Sequence, residues 1–394
     1  MAFQGVDFFD VESLLTEDER AVRDTVRRWV DDAVMPIINE CFLSGRFPRE
    51  LVPQMGELGL LGPTLPEDYG CAGLNGVAYG LIQQELERGD SALRSFASVQ
   101  GSLVMYPIYT FGSEEQKRHW LPKLASGEAI GCYGLTEADF GSNPGGLITT
   151  ARADGDEWVI NGSKMWITNG SMADVAVVWA KTGGLDDASS IRGFLVEKGT
   201  KGFSANPQTG KLSLQASDTS ELVFEDVRIS KDHLLPGTAG LKSPLMCLTE
   251  ARYGIAWGAV GAAMACYDEA VSYAKERVMF DRPIGGFQTQ QIRLAQMLTE
   301  ITKAQLLCLQ LGRLKDRGAS SHTHVSLAKR NNVDMACECA RETRRLLGAS
   351  GILAEYQAMR HMLNLESVYT YEGTHDIHTL VLGEKITGQS AYSG

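Results

Sequence analysis

Apolar residues recur at helical spacing through the first third of the chain, fall into short strand-like runs in the middle, and return to helical spacing from about Pro244 to the end. Thr16-x-x-Glu19 forms a capping box at a helix start, where side chain and backbone satisfy each other's free groups, and Val22, Val26, Trp29 and Val30 make the apolar face that follows. Ser113-x-x-Gln116 opens another helix in the same way. Near Ala129 the period changes. Asp154-Gly155 is a hairpin signal ahead of Trp158-Val159-Ile160, and Val175 to Ala180, Gly193 to Val196 and Glu221 to Ile229 read as further strands. The middle region therefore predicts a compact antiparallel sheet or barrel. Beyond Pro244, Leu294, Leu298, Ile301 and Leu311 mark one helical stripe and Val333, Cys337 and Ala340 another, so roughly four long helices with short polar connections predict a bundle.

A chain of 394 residues is too long for one simple core. The expected fold is α+β and multidomain: an N-terminal helical domain over 1–130, a central antiparallel β domain over 131–243 and a C-terminal four-helix bundle over 244–394. The 44% hydrophobic and 22% charged content is that of an ordinary globular protein. No run of 18 apolar residues is present, so no membrane span is expected. The acidic N-terminus has neither transit-peptide nor signal-peptide character, which predicts a cytoplasmic protein of bacterial type, or a mitochondrial matrix protein in processed form. A formal charge of -12 argues against nucleic acid as a partner, and any polyanionic ligand must be held by local positive groups. The eight cysteines lie in apolar or helical contexts without a CxxC pair and read as reduced thiols. Cys337 and Cys339 face different directions on a helix, His322 and His324 fall in a polar loop, and His375 and His378 lack a carboxylate cluster; no metal site is expected.

The segment Tyr369-Thr370-Tyr371-Glu372-Gly373-Thr374-His375-Asp376-Ile377-His378 puts a carboxylate beside a glycine between two helical stretches, Ala354 to Val368 and Ile377 to Ile386. Such junctions point side chains into clefts, and a carboxylate there can act as a base. Alone, most Glu-Gly pairs are solvated turns. Three other groups accompany it. Cys132 to Asn143 offers hydroxyls and glycines suited to a polar ring edge or a phosphate, although by itself it reads as a surface loop. Trp166-Ile167-Thr168-Asn169 has a flat aromatic surface and a nearby hydroxyl, or is a strand with a core Trp. Arg277-x-x-Phe280-x-x-Pro283, followed by Phe287-Gln288, sits at a bend between two bundle helices, or is a solvated helix end.

Together and in this order, the four motifs resemble the acyl-CoA dehydrogenase family over essentially the whole chain. The resemblance implies a homotetramer, one FAD per subunit and an electron-transferring flavoprotein as partner. It implies that Glu372 is the general base for the α-proton of an acyl-CoA thioester, with the β-hydrogen leaving as hydride to flavin N5. The thioester carbonyl would be polarised by the Glu372 backbone N–H and a flavin ribityl hydroxyl, in the manner of an oxyanion hole. By the same resemblance Tyr133, Leu135 and Thr136 contact the flavin pyrimidine edge, Trp166 and Thr168 form a wall and an N5 or O4 partner, and Gly141 and Ile167 belong to the same cofactor segments. Ser142 is expected near both the FAD phosphates and the CoA arm. Arg277, Phe280 and Gln288, with Leu347, Gly348 and Gly351, are expected to hold the adenosine and pyrophosphate of a neighbouring subunit's FAD, which Thr374 and Asp376 meet from the other side. Leu248, Thr249, Arg252 and Gly373 fall at the acyl-CoA. Two positions depart from the family pattern: Phe280-Asp281 stands for Phe-Gly, and Leu347-Gly348-Ala349-Ser350-Gly351 for Leu-Gly-Gly-x-Gly. Asp281 adds negative charge near a pyrophosphate.

Glu87-Arg88-Gly89-Asp90-Ser91-Ala92-Leu93-Arg94-Ser95 resembles the acyl-tail segment of glutaryl-CoA dehydrogenases, in which the arginine receives a distal carboxylate. A planar guanidinium can meet a carboxylate bidentately. The other reading of Arg94 is a surface arginine paired with Glu87 or Asp90. Ala251 to Gly258, Leu309 to Asp316 and Lys329 to Asn332 add to the resemblance. Glu87, Ser95 and Tyr371 resemble the polar set of decarboxylating members, which implies glutaryl-CoA as substrate and crotonyl-CoA and carbon dioxide as products. A short-chain acyl-CoA dehydrogenase, an acyl-CoA oxidase and a catalytically silent CoA-binding protein are the alternatives.

Overall fold

The computed structural model describes residues 3 and 5–392. Its first part is helical: α1 (Glu17–Trp29), α2 (Met35–Ser44), α3 (Val52–Glu57), α4 (Gly76–Gly89), α5 (Ser91–Ser98), α6 (Tyr106–Phe111) and α7 (Glu114–Ser126). Both capping boxes form. Thr16 Oγ1 accepts from the Glu19 backbone at 3.3 Å while Glu19 returns a 2.9 Å bond, and Ser113 and Gln116 repeat the arrangement. Every residue of α4 is buried, so the charges it carries need internal partners. Glu85 meets Arg27 at 2.8 Å and Arg88 at 2.7 Å, and Glu87 meets Arg94 at 2.8 Å.

Seven strands follow: β1 (Gly131–Gly134), β2 (Thr150–Asp154), β3 (Glu157–Thr168), β4 (Val175–Lys181), β5 (Ile191–Glu197), β6 (Phe203–Pro207) and β7 (Thr219–Ser230). The order is β1-β4-β2-β3-β7-β6, with β5 also paired to β4. The expected all-antiparallel sheet is corrected to a mixed one, because β1 runs parallel to β4 and β2 meets β4 in parallel at Thr150 and Lys181. Cys132 to Gly134 are therefore strand, and only the rest of the expected loop is irregular. The sequence conceals β1 and β6 because the first is flanked by glycines and the second ends in Asn206-Pro207, both poor strand formers that pairing overrides. β4, inside the sheet, is buried at all seven positions.

The remainder is α8 (Lys242–Glu276), α9 (Gln288–Asp316), α10 (His322–Leu346), α11 (Ala358–Thr370) and α12 (His375–Thr387). Three of these are long and two have 13 residues, rather than four long helices. His322 and His324 open α10 instead of lying in a loop, because Ser321 caps that helix by accepting from the His324 backbone. The expected bend at Arg277 is a small hairpin, β8 (Val278–Met279) with β9 (Arg282–Pro283). Its turn puts Phe280 at φ 51° and Asp281 at φ 62°, a left-handed conformation that aspartate tolerates. α8 packs against α4 on one side and α10 on the other. No helix among the described residues is long and apolar enough to cross a membrane, and no group of three metal-ligating side chains occurs among them.

Candidate active site

A cavity of about 2420 Å³ opens between the β1 and β3 ends of the sheet, α8, the start of α10 and the α11–α12 junction. That is more than twice the roughly 1,000 Å³ upper range for a pocket holding one drug-sized ligand, so it has room for two ligands or one extended one.

Glu372 stands at the α11–α12 junction and lines this cavity. Its φ of 52° is left-handed, a conformation that costs a non-glycine residue on the order of 1–3 kcal/mol and is retained only where the surroundings hold it. Two cations do so, Arg252 half-buried and Lys329 buried. Arg252 Nε on α8 donates to the Glu372 carbonyl at 2.6 Å, and Lys329 Nζ on α10 donates to the Tyr371 and Gly373 carbonyls at 2.6 and 2.7 Å. Gly373 has φ 93°, and a Cβ there would come within 2.9 Å of His378 Nε2 and 3.3 Å of Arg252. No other residue type fits that turn. With its backbone fixed, Glu372 keeps one carboxylate oxygen, Oε2, buried and without a hydrogen-bond partner among the described residues.

Burial and neighbouring charge oppose each other at this carboxylate. Burial raises the Glu372 carboxyl above the ordinary carboxylate range, while the cations of Arg94, Lys329 and Arg252 work against that rise. Burial also pulls Lys329 down to about 7, opposed by the Glu372 charge. A buried carboxylate raised in this way, with cations beside it that favour its charged form, suits a base that takes up a proton and gives it back.

Arg94 on α5 and Glu87 on α4 form a salt bridge of 2.8 Å with both side chains out of solvent, so Arg94 is not a surface arginine. Ser91 Oγ donates to the other Glu87 oxygen at 2.8 Å. Gly258 on α8 makes the room: a Cβ there would lie 2.0 Å from Glu87 Oε2. Neither Arg94 nor Glu87 lines the cavity directly, whereas Ser95 and Tyr371 do. The Arg94 guanidinium sits 5.3 Å from the Tyr371 ring centroid. Arg94 Nη2, Ser95 Oγ and Tyr371 Oη are buried and unpartnered among the described residues; Ser95 and Tyr371 line the cavity and Arg94 borders the Tyr371 ring, so an acceptor-rich group there would satisfy free donors.

Of the segments expected at the cofactor, Tyr133, Leu135, Thr136, Gly141, Ser142, Trp166, Ile167 and Thr168 line the cavity. A register break in β3 between Lys164 and Ile167 puts Trp166 at φ 63° and leaves its indole 64% exposed, so it is a cavity wall and not a core residue. Glu137 anchors the loop beyond β1, accepting from the Ile148 and Thr149 backbones at 2.7 and 3.0 Å and pairing with buried Lys164 at 2.8 Å. Leu248, Thr249, Arg252, Gly373 and Thr374 also line the cavity. Arg277, Phe280, Gln288, Leu347, Gly348, Gly351 and Asp376 do not; Phe280 is 85% exposed in its hairpin, and Gly348 is left-handed at the end of α10. Two residues that the sequence reading left without a role are Lys329 and Gly258. Lys329 was detectable, since it interrupts the Val325-x-x-x-Lys329-x-x-x-Val333 apolar face of α10.

Family models describe the chain nearly end to end: the acyl-CoA dehydrogenase N-terminal domain matches 16–128, the middle domain 132–227 and the C-terminal domain 238–387. The chain belongs to the acyl-CoA dehydrogenase family. Its fold is the acyl-CoA dehydrogenase fold, with an N-terminal helical part, a central β part and a C-terminal helical part. Among family members, the mitochondrial short-chain specific acyl-CoA dehydrogenase of Bos taurus is 38% identical over 93% of this chain and 90% of its own length. A crystal structure of a glutaryl-CoA dehydrogenase from Mycobacterium smegmatis in complex with FADH2 is 52% identical, covers 98% of this chain and 99% of its own, and superimposes with a TM-score of 0.96. Butyryl-CoA dehydrogenase from Megasphaera elsdenii is 32% identical over 94% of this chain and 98% of its own, with a TM-score of 0.91.

Proposed function

We propose that this acyl-CoA dehydrogenase oxidises glutaryl-CoA and decarboxylates the product to crotonyl-CoA, with Glu372 as its base. The observation that carries the substrate assignment is the buried Arg94 with one free guanidinium nitrogen among the unpartnered hydroxyls of Ser95 and Tyr371. A short-chain fatty acyl tail would leave those donors unsatisfied, whereas a terminal carboxylate supplies the acceptors they lack. The 52% identity to the Mycobacterium smegmatis glutaryl-CoA dehydrogenase, against 38% to the bovine short-chain enzyme, supports the same reading.

FAD is the cofactor, and the residues present fit it. The exposed Trp166 indole offers a flat apolar wall, and the β1 and β3 ends bring hydroxyls and backbone groups to the same side of a cavity large enough for a flavin and an acyl thioester together. Tyr133, Leu135, Thr136, Gly141, Ser142, Trp166, Ile167 and Thr168 would hold it, while Thr374, at the cavity wall, and Asp376, outside it, would meet the nucleotide of a neighbouring subunit's FAD. When bound it supplies a two-electron acceptor for the hydrogen lost from the β-carbon. Arg277, Phe280, Gln288, Leu347, Gly348 and Gly351 lie away from the cavity, in keeping with a homotetramer in which they hold the adenosine and pyrophosphate of a neighbouring subunit's FAD. Asp281 lies exposed in the turn of its hairpin.

Arg94 orients the distal carboxylate, and Leu248, Thr249 and Arg252 border the thioester side. Glu372 takes the α-proton, and its own backbone N–H is the proposed donor to the thioester oxygen as negative charge gathers there. Once the α,β-double bond exists, the γ-carboxylate can leave as carbon dioxide because its electrons drain into the thioester. Glu372, now protonated, can return its proton to the resulting dienolate. Glu87 competes with the substrate for Arg94, so the carboxylate is gripped without being held too tightly to leave.

The variant Glu372→Gln tests the base: FAD and acyl-CoA binding are retained, and flavin reduction slows by about 10² to 10⁴ because the amide cannot accept the proton. Wild-type reduction rates in that variant would remove Glu372 from the role. The second reading is a short-chain acyl-CoA dehydrogenase without a dicarboxylate preference. It draws on the bovine relative and on Arg94 being already engaged by Glu87 behind the cavity wall, and equal turnover of butyryl-CoA and glutaryl-CoA would favour it.

A further inference from the structure

Three successive carbonyls, those of Tyr371, Glu372 and Gly373, each accept a hydrogen bond from a cationic side chain, and the buried Lys329 alone serves the two that flank Glu372. We propose that Lys329 is a positioning residue for Glu372, holding the left-handed turn that aims the carboxylate into the cavity and contributing the nearby positive charge that keeps it ready to accept a proton. The inference rests on Glu372 being the base.

Three features carry the assignment. Lys329 is 2% exposed on α10, where a lysine is costly unless it is paired, yet among the described residues it forms no salt bridge and it donates to two backbone oxygens at 2.6 and 2.7 Å. The turn it holds is strained at Glu372, and Gly373 beside it is conformationally permissive, so releasing two of its three anchored carbonyls lets the carboxylate swing away from the cavity. Its ammonium also lies 5.8 Å from the Tyr371 ring centroid, and the Arg94 guanidinium lies 5.3 Å from the same centroid, so both cations border this ring. The charged and titratable groups facing this turn are Arg94 from α5, Arg252 from α8, Lys329 from α10, His375 and His378 from α12, Tyr79 from α4, Tyr133 from β1 and Glu372 itself. His378 is bonded through Nδ1 to Ser326 Oγ at 3.0 Å, and burial holds it neutral, down to about 3, so it does not replace the lysine charge.

The test compares wild type, Lys329→Met, Lys329→Arg and Glu372→Gln as flavin-loaded full-length proteins, by rapid anaerobic mixing with glutaryl-CoA across pH 5 to 9. Lys329→Met is expected to bind the thioester within a few-fold of wild type and to reduce its flavin about 10- to 100-fold more slowly, less than the loss expected for a missing general base. Its acid limb should move up by on the order of one pH unit, because removing a cation raises the carboxyl's proton affinity. Lys329→Arg keeps charge and donors and should recover most of the rate and the wild-type acid limb. An unshifted limb with a wild-type rate in Lys329→Met overturns the inference while leaving Glu372 as base if Glu372→Gln is slow. If Lys329→Met loses its flavin, Lys329→Arg decides: a loaded Lys329→Arg protein as slow as Glu372→Gln overturns the inference. Fast reduction in Glu372→Gln would instead overturn the assignment of the base.

Discussion

Arg94 Nε donates to Glu87 Oε2 at 2.8 Å with neither side chain reaching solvent, and the second guanidinium face is left with an unpaired nitrogen. The pair is thus half-satisfied by the protein. In the proposed function a ligand carboxylate would complete it, which would link the packing of α4 against α5 to the choice of substrate.

Arg94→Ala should penalise glutaryl-CoA far more than butyryl-CoA. Removing one side of a buried charged pair costs about 2 to 5 kcal/mol, or roughly 30-fold to several thousand-fold in kcat/KM. Steady-state kinetics with both thioesters measures this, and equal losses would make Arg94 purely structural.

Glu87→Val removes the competitor for Arg94 without removing the arginine. Flavin reduction by glutaryl-CoA should stay nearly intact while product shifts toward glutaconyl-CoA, because the leaving carboxylate is held more firmly. Mass spectra with crotonyl-CoA still the sole product would detach Glu87 from decarboxylation.

Gly258→Ala probes the same pair from α8. The added methyl would meet Glu87 Oε2 at 2.0 Å and Arg94 Cγ at 3.2 Å, so the salt bridge must shift. Overpacking of this kind costs about 1–3 kcal/mol of stability. A lowered melting temperature together with a selective loss on glutaryl-CoA is expected; a variant that loses stability with an unchanged glutaryl-to-butyryl ratio would separate Gly258 from specificity.

His378 gives a pH dependence of stability. Its folded value, pulled by burial to about 3, lies below the unfolded value near 6.5, so the native state binds fewer protons than the unfolded one between them. The associated stability is fully present above about 6.5 and is lost as pH falls toward 3, at up to about 1.4 kcal/mol per unit. Denaturant unfolding of His378→Asn should show a flatter acid limb than wild type, and parallel limbs would contradict it.

Much of this was legible in the chain, and what was not has identifiable causes. Periodicity and capping boxes located the helices because Thr16, Glu19, Ser113 and Gln116 act locally. Glu372 was legible as the residue before a glycine at a helix junction. The partners that fix it were not, since Arg252 and Lys329 reach the turn from sequence distances of 120 and 42 to 44 residues. β1 was hidden because Gly131 and Gly134 suppress strand propensity while parallel pairing with β4 supplies the order. Trp166 was ambiguous between core and cavity until the register break in β3 fixed the direction of its ring. Gly258 meant nothing without Glu87 across the α4–α8 contact.

The most direct test is anaerobic addition of glutaryl-CoA to the flavin-loaded protein, followed by the flavin absorption band and, with an electron acceptor present, by product mass. Bleaching of the flavin with release of crotonyl-CoA and carbon dioxide is the expected result. A flavin that bleaches with butyryl-CoA but not with glutaryl-CoA, or a five-carbon acyl product from glutaryl-CoA, would contradict it.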